Sequence, residues 1–117
     1  VSLGAALGGV ARYWLSNTVY RVLPATFPYG TLLVNVIGSF VLGLLVFLIF
    51  ERSTISSEWR MLLTVGFCGG FTTFSTFSLE TVNLLRNTEY LMAALNIAAN
   101  VTLTIGAVLL AFFLSQR

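Results

Sequence analysis

Residues 66–80 read Gly-Phe-Cys-Gly-Gly-Phe-Thr-Thr-Phe-Ser-Thr-Phe-Ser-Leu-Glu. Thr72, Thr73, Ser75, Thr76 and Ser78 supply five hydroxyls in seven residues, threaded by Phe71, Phe74 and Phe77. Hydroxyls donate hydrogen bonds, and the rim of a phenyl ring carries partial positive charge. Such a set can hold a small anion that has shed its water without the full positive charge that would trap it, and conduction needs weak binding. Gly69-Gly70 weakens a helix by roughly 1 kcal/mol per residue relative to alanine, which predicts unwinding there. At membrane depth an unwound turn is tolerated where it lines a cavity or is buried in protein, so a break of this kind points to an ion or substrate site. Its freed carbonyls suit a hard cation such as sodium, although spacing alone does not name the ion. The plainer alternatives are a packing stripe formed by Phe67, Phe71, Phe74 and Phe77, hydroxyls bonded back to their own helix, and a resting kink.

Other polar residues stand in apolar surroundings. Asn96, Asn100 and Thr104 follow at i, i+4 and i+8 and share one helix face. They are either part of a pathway or interhelical glue, and Asn35 taken alone reads as glue. Arg12 interrupts an apolar segment, where an ionised side chain costs at least about 2.5 kcal/mol on insertion scales. It should face water or a partner, as in a vestibule that gathers anions, or else snorkel to the interface. Glu80 is the one acid well inside a span. It can cap a polar network, gate a path or reach the headgroups near Arg86.

These residues need a membrane frame. The 117 residues are 57% hydrophobic and 9% charged, with mean hydropathy +0.94, against about 25% charged for a soluble domain. An all-α membrane protein of one domain follows. Four helices are predicted at about 2–20, 31–50, 59–86 with a break near 69–73, and 90–114. Pro24 and Pro28 mark the first connection, and the polar run Glu51 to Glu58 marks the second. Gly4/Gly8 and Ser39/Gly43 are small-xxx-small pairs that let helix backbones approach closely. Val1 opens a first segment with no basic n-region, which reads as a trimmed terminus and not a signal peptide. Cys68, the single cysteine, reads as a small packing residue.

The charges have a second message. All six basic residues are arginines, and a net charge of +2 gives no dense basic face for nucleic acid. Arg52, Arg60 and Arg117 fall to one side of the membrane and Arg21 and Arg86 to the other, so the vote on orientation is nearly tied. A chain with so little bias can insert both ways, and opposite copies can then pair.

Taken together, the chain resembles the Fluc (CrcB-type) fluoride channels along its whole length. The resemblance lies in Gly8-Gly9-Val10-Ala11-Arg12-Tyr13-Trp14, in Gly30-Thr31-Leu32-Leu33-Val34-Asn35, and above all in Gly69 to Ser78. It implies an antiparallel, dual-topology homodimer in the cell membrane with two fluoride pores and a structural Na+ where the third helices break. It implies that Phe74 and Phe77 present ring edges to fluoride, that Asn35 and Arg12 line pore and vestibule, and that the Gly69 and Thr72 carbonyls bind sodium. Ser75, Thr76, Ser78, Glu80, Asn96, Asn100 and Thr104 join the expected pore set. The implied task is passive fluoride export against toxicity. A proton-coupled exporter of the small multidrug type is the rival, but it needs a carboxylate in helix 1, where this chain has Arg12. A non-transporting assembly subunit would leave the Phe/Ser/Thr ladder without a role. An enzyme fits least, because histidine and aspartate are absent and no metal-ligand cluster appears.

Overall fold

The computed structural model describes residues 1–24, 26–51 and 54–116; Arg52 and Arg117 of the charge balance lie outside the described residues. Every regular element among the described residues is helical. Helix α1 is Ser2–Val22, α2 is Tyr29–Phe50, α3 covers 57–71, α4 is Phe74–Arg86 and α5 is Tyr90–Ser115. Three stretches, Tyr29–Phe50, Ser57–Arg86 and Tyr90–Ser115, are long and apolar enough to cross a bilayer. Helix α1 is 21 residues long, but Arg12, Ser16, Asn17 and Thr18 dilute its apolar character. Leu3, Val10, Trp14, Val65, Leu79, Leu91 and Phe113 are each more than half exposed. An exterior of this kind suits hydrocarbon, not water.

Glycines decide how α1 meets α3. A Cβ on Gly4 would strike the Leu62 carbonyl, and one on Gly8 would strike the Phe67 carbonyl. The reverse contacts are also too close for a side chain, since a Cβ on Gly70 would lie 2.6 Å from the Ala5 carbonyl and one on Gly66 2.9 Å from that of Val1. The two helices thus run side by side in the same direction, backbone on backbone, as small residues permit. Helix α2 packs chiefly on α5. Gly43 fits against Ala111 there, and a Cβ on Gly38 would strike the Thr72 methyl.

The chain leaves the helix later than the glycine pair predicts. Gly69 is helical at φ −64° and ψ −38°, whereas Thr72 (φ −86°, ψ 160°) and Thr73 (φ −152°, ψ 123°) are extended. The reason is tertiary: Gly66 and Gly70 are fixed by contact with α1, and this overrides their low helix propensity. The extended pair also divides the aromatic stripe. Phe67 and Phe71 stack with centroids 6.0 Å apart, and Phe74 and Phe77 form a separate tilted pair at 5.4 Å.

Local signals close the other ends. Ser56 caps α3, its Oγ accepting from the Trp59 amide at 3.4 Å. Leu44–Phe50 and Leu62–Cys68, on either side of the second connection, are wound with i→i+5 bonds. Arg60 fastens that connection: its Nε donates to the Ile55 carbonyl and its Nη2 to the Phe50 carbonyl, both at 3.1 Å.

Candidate functional site

A residue that leaves a helix inside an apolar fold must place its N–H and C=O elsewhere. For Thr73 the partner is Asn35 of α2. The Thr73 amide donates to Asn35 Oδ1 at 2.8 Å, and Asn35 Nδ2 donates to the Thr73 carbonyl at 3.0 Å. A side-chain carboxamide thereby pairs with the extended residue as a neighbouring strand would. Asn35 Nδ2 also donates to Asn100 Oδ1 at 3.2 Å. Asn100 Nδ2 donates to Asn96 Oδ1 at 2.9 Å, and Asn96 Nδ2 to Thr81 Oγ1 at 3.0 Å. Asn96 is 0% exposed and Asn100 5%.

Thr73 then starts α4. Its hydroxyl oxygen accepts from the Thr76 amide at 3.2 Å, which caps the new helix. Because the Thr73 amide turns to Asn35, it no longer closes the i→i+4 turn on the Gly69 carbonyl. The cap sets the first turn of α4 and with it the two rings. Phe74 is 78% exposed on the single chain and Phe77 only 8%. Both border a cavity of about 340 Å³, shared with Asn35, Ser39, Gly69, Thr72, Thr73, Asn100 and Thr104. On the other side of Thr73 a second cleft, also about 340 Å³, is lined by Arg12, Tyr13, Ser16, Thr31 and Thr76. One residue, Thr73, borders both.

A third cavity of about 700 Å³ holds Glu80 with Tyr20, Asn83, Asn87 and Glu89. Glu80 Oε1 is buried and meets no donor among the described residues.

The model of the family described as CrcB-like protein, Camphor Resistance (CrcB), matches residues 1–112. The chain belongs to the CrcB-like family. It is 53% identical over 117 residues to a protein of Pyrococcus abyssi (strain GE5 / Orsay) named Fluoride-specific ion channel FluC, with 98% of this chain and 92% of that protein covered. A protein of the same name from Pyrococcus furiosus is 54% identical over 119 residues, covering 100% and 94%. One from Coxiella burnetii (strain CbuK_Q154) is 44% identical over 118 residues, covering 100% and 95%.

In this CrcB-like chain the residues singled out from sequence, all but Ser75 and Ser78, fall into three groups. Asn35, Gly69, Thr72, Phe74, Phe77, Asn100 and Thr104 meet at the first cavity, with Asn96 directly behind Asn100. Arg12 and Thr76 meet at the second cleft, and Glu80 stands apart in the third cavity. The hydroxyl ladder is not one continuous path within a single chain. Thr72 bonds back to the Cys68 carbonyl at 2.9 Å, Ser78 to Phe74 at 3.1 Å, and Thr104 to Asn100. Thr73 and Thr76 bond to each other at 3.1 Å, and Ser75 Oγ lies 3.4 Å from Thr73 Oγ1.

Sequence reasoning missed the backbone of Thr73 as the centre of the site and missed Thr81 altogether, and it named Thr31, which lines the Arg12 cleft, only as part of the stretch that opens α2. Thr81 had a usable signal. It lies eight residues after Thr73, two turns along the same face, and Asn96 needs a buried partner on a neighbouring helix.

Proposed function

We propose that this protein is a fluoride-selective channel that lets F− leave the cell passively and so protects against fluoride toxicity. The observation that carries the reading is the Phe74–Phe77 pair on the wall of a cavity opened by the extended Thr72–Thr73 step. Support comes from relatives named for fluoride conduction that align over nearly the whole chain. Ring edges, hydroxyls and amide donors offer a dehydrated anion partial positive charge and no full charge, which favours release. Asn35 contributes by holding the Thr73 backbone at this wall, and the Arg12 cleft gathers anions on the far side of Thr73. Ser75, Thr76, Ser78, Asn96, Asn100 and Thr104 are assigned to the pore and its support, and Glu80 to its third cavity.

In this reading α1 is the fourth span of a multi-pass cell-membrane protein. Two copies pair in opposite orientation, which covers the outward ring of Phe74. The Gly69 and Thr72 carbonyls of both copies hold a structural Na+. The fit lies in the break itself: the Thr73 amide is engaged by Asn35, which leaves the Gly69 oxygen available, and backbone oxygens are the hard donors that sodium takes.

The test is ion efflux from liposomes, followed with fluoride- and chloride-selective electrodes and with valinomycin to balance voltage. Rapid fluoride loss, slow chloride loss and indifference to a proton gradient are expected. Strict proton coupling would hand the function to an exporter. Phe77→Ile and Phe74→Ile keep bulk without an aromatic rim, and each is expected to slow fluoride flux while the dimer persists. Unaltered flux in both would remove the rings from the mechanism.

A further inference from the structure

The hydrogen bonds around Asn35 run in one direction, and a backbone group sets it. An amide N–H can only donate, so the oxygen of Asn35 must face Thr73, and its NH2 must face the Thr73 carbonyl and Asn100. Asn100 must then offer its oxygen to Asn35 and its NH2 to Asn96, whose Oδ1 and backbone carbonyl accept from it at 2.9 and 3.0 Å, and Asn96 offers its own NH2 to Thr81. The Thr81 hydroxyl accepts there and donates a hydrogen bond to the Phe77 carbonyl at 2.8 Å. Five hydrogen bonds therefore lead from the Thr73 amide through α2 and α5 back to Phe77. Both ends lie on the short segment that carries Phe74 and Phe77. Both protons of the Asn35 amide are engaged, one on the Thr73 carbonyl and one on Asn100.

We propose that Thr81 is a positioning residue of the ion pathway: as the acceptor for Asn96 it fixes that carboxamide, against which Asn100 and then Asn35 rest, and so steadies the Thr73 step that places Phe74 and Phe77. Without a hydroxyl at 81, a buried Asn96 N–H loses its acceptor. Turning the Asn96 amide over sets its NH2 against that of Asn100, whose NH2 stays on the Asn96 backbone carbonyl, so Asn100 loses one of its two acceptors and with it part of the footing from which its oxygen receives Asn35. Thr81 and Asn96 are buried, so bulk water does not relieve it. The flux readout of this inference rests on the fluoride reading above, whereas its geometric readout does not.

The experiment compares Thr81→Val, Thr81→Ala and Thr81→Ser with the unmodified protein in two ways. One is the ratio of fluoride to chloride flux in liposomes, which a mere loss of folded channels would leave unchanged. The other is amide hydrogen exchange at Thr73. Thr81→Val is expected to lower the flux ratio and speed Thr73 exchange, each by about tenfold. Thr81→Ser should recover most of both. Thr81→Ala, which also lacks the hydroxyl, carries the test if the valine variant does not fold. Wild-type ratio and exchange in a hydroxyl-less variant, or equal losses in Thr81→Ser, would overturn the proposal. If the unmodified protein moves no fluoride while Thr73 is still deprotected by Thr81→Val, the fluoride reading fails and the relay stands.

Discussion

Along α1 the backbone of α3 is met by other backbone: Gly4, Gly8, Gly66 and Gly70 leave no room for a single methyl group. At Thr73, one turn further on, the backbone is met by a side-chain carboxamide that supplies both an acceptor and a donor. The first contact is governed by volume and the second by hydrogen-bond complementarity. The first is the ordinary way membrane helices associate. The second is the arrangement that lets a chain abandon its helix in apolar surroundings. Substitutions that conserve volume should therefore be harmless in one place and ruinous in the other.

The largest effect is expected at Asn35. Leucine has the same branching and number of heavy atoms but strands the Thr73 amide, the Thr73 carbonyl and Asn100 Oδ1 together. At about 1–3 kcal/mol for each buried group left without a partner, Asn35→Leu should cost about 4 kcal/mol. Denaturation in mixed micelles would show it, and the fluoride flux of the reconstituted variant should vanish. A stability close to that of the unmodified protein would mean that volume rules here as well.

The opposite experiment belongs to α1. Gly8→Ala adds one methyl group against the Phe67 carbonyl and the Phe71 amide, and about 3 kcal/mol of destabilisation is expected from overpacking. Gly9→Ala makes the same chemical change one residue away, where a Cβ meets nothing within 4 Å. It should be neutral or stabilising by up to about 1 kcal/mol, the difference in helix propensity. Equal losses in the two variants would show that backbone contact with α3 is not what Gly8 provides.

These contrasts also explain what was legible in the sequence. Apolar runs of about twenty residues and the Pro24, Pro28 and Glu51–Glu58 punctuation mark out helices whose observed ends differ by only a few residues. The Gly4/Gly8 spacing foretells a close helix contact, because spacing along one helix is a local property. The break falls inside the expected 69–73 window, but at its far end and not at the glycine pair. Gly69-Gly70 has the weaker helix propensity, and only the presence of α1 against Gly66 and Gly70, with Asn35 opposite Thr73, moves the unwinding to the threonines. Asn96 and Asn100 share a face by spacing alone, yet their partners lie on other helices, at Thr81 and Asn35. Thr81 was overlooked because a lone threonine on a helix most often bonds back to its own backbone. It does so here, while also accepting from Asn96.

A polar contact nearer the end of a span should cost less to break than one in the core. Arg60 donates to Phe50 and Ile55 at the end of α2, with its guanidinium 5.2 Å from the Phe50 ring centre. It is only partly buried, so water can take over the two carbonyls. Arg60→Gln is accordingly expected to lose about 1.5 kcal/mol, well under the loss at Asn35. A cost equal to that of Asn35→Leu would place this connection among the buried elements.

The smallest effect concerns neither volume nor partners. Helix α4 ends in a closed turn, the Glu89 amide donating to the Leu84 carbonyl at 2.8 Å and the Thr88 amide to Leu85 at 3.1 Å. That pattern requires a left-handed residue at position 88, and Thr88 takes it at φ 59°. Threonine is ill suited to this region because its branched Cβ crowds the backbone, and glycine adopts it freely. The Thr88 hydroxyl gives little in return, donating only to the carbonyl of the adjacent Asn87 from an exposed position. Thr88→Gly should therefore stabilise the protein by about 1 kcal/mol, less the entropy glycine regains in the unfolded chain, with flux unchanged. A loss of stability would mean that the threonine side chain supports the turn, and α4 would then be anchored at its far end by side-chain contact as it is at Thr73.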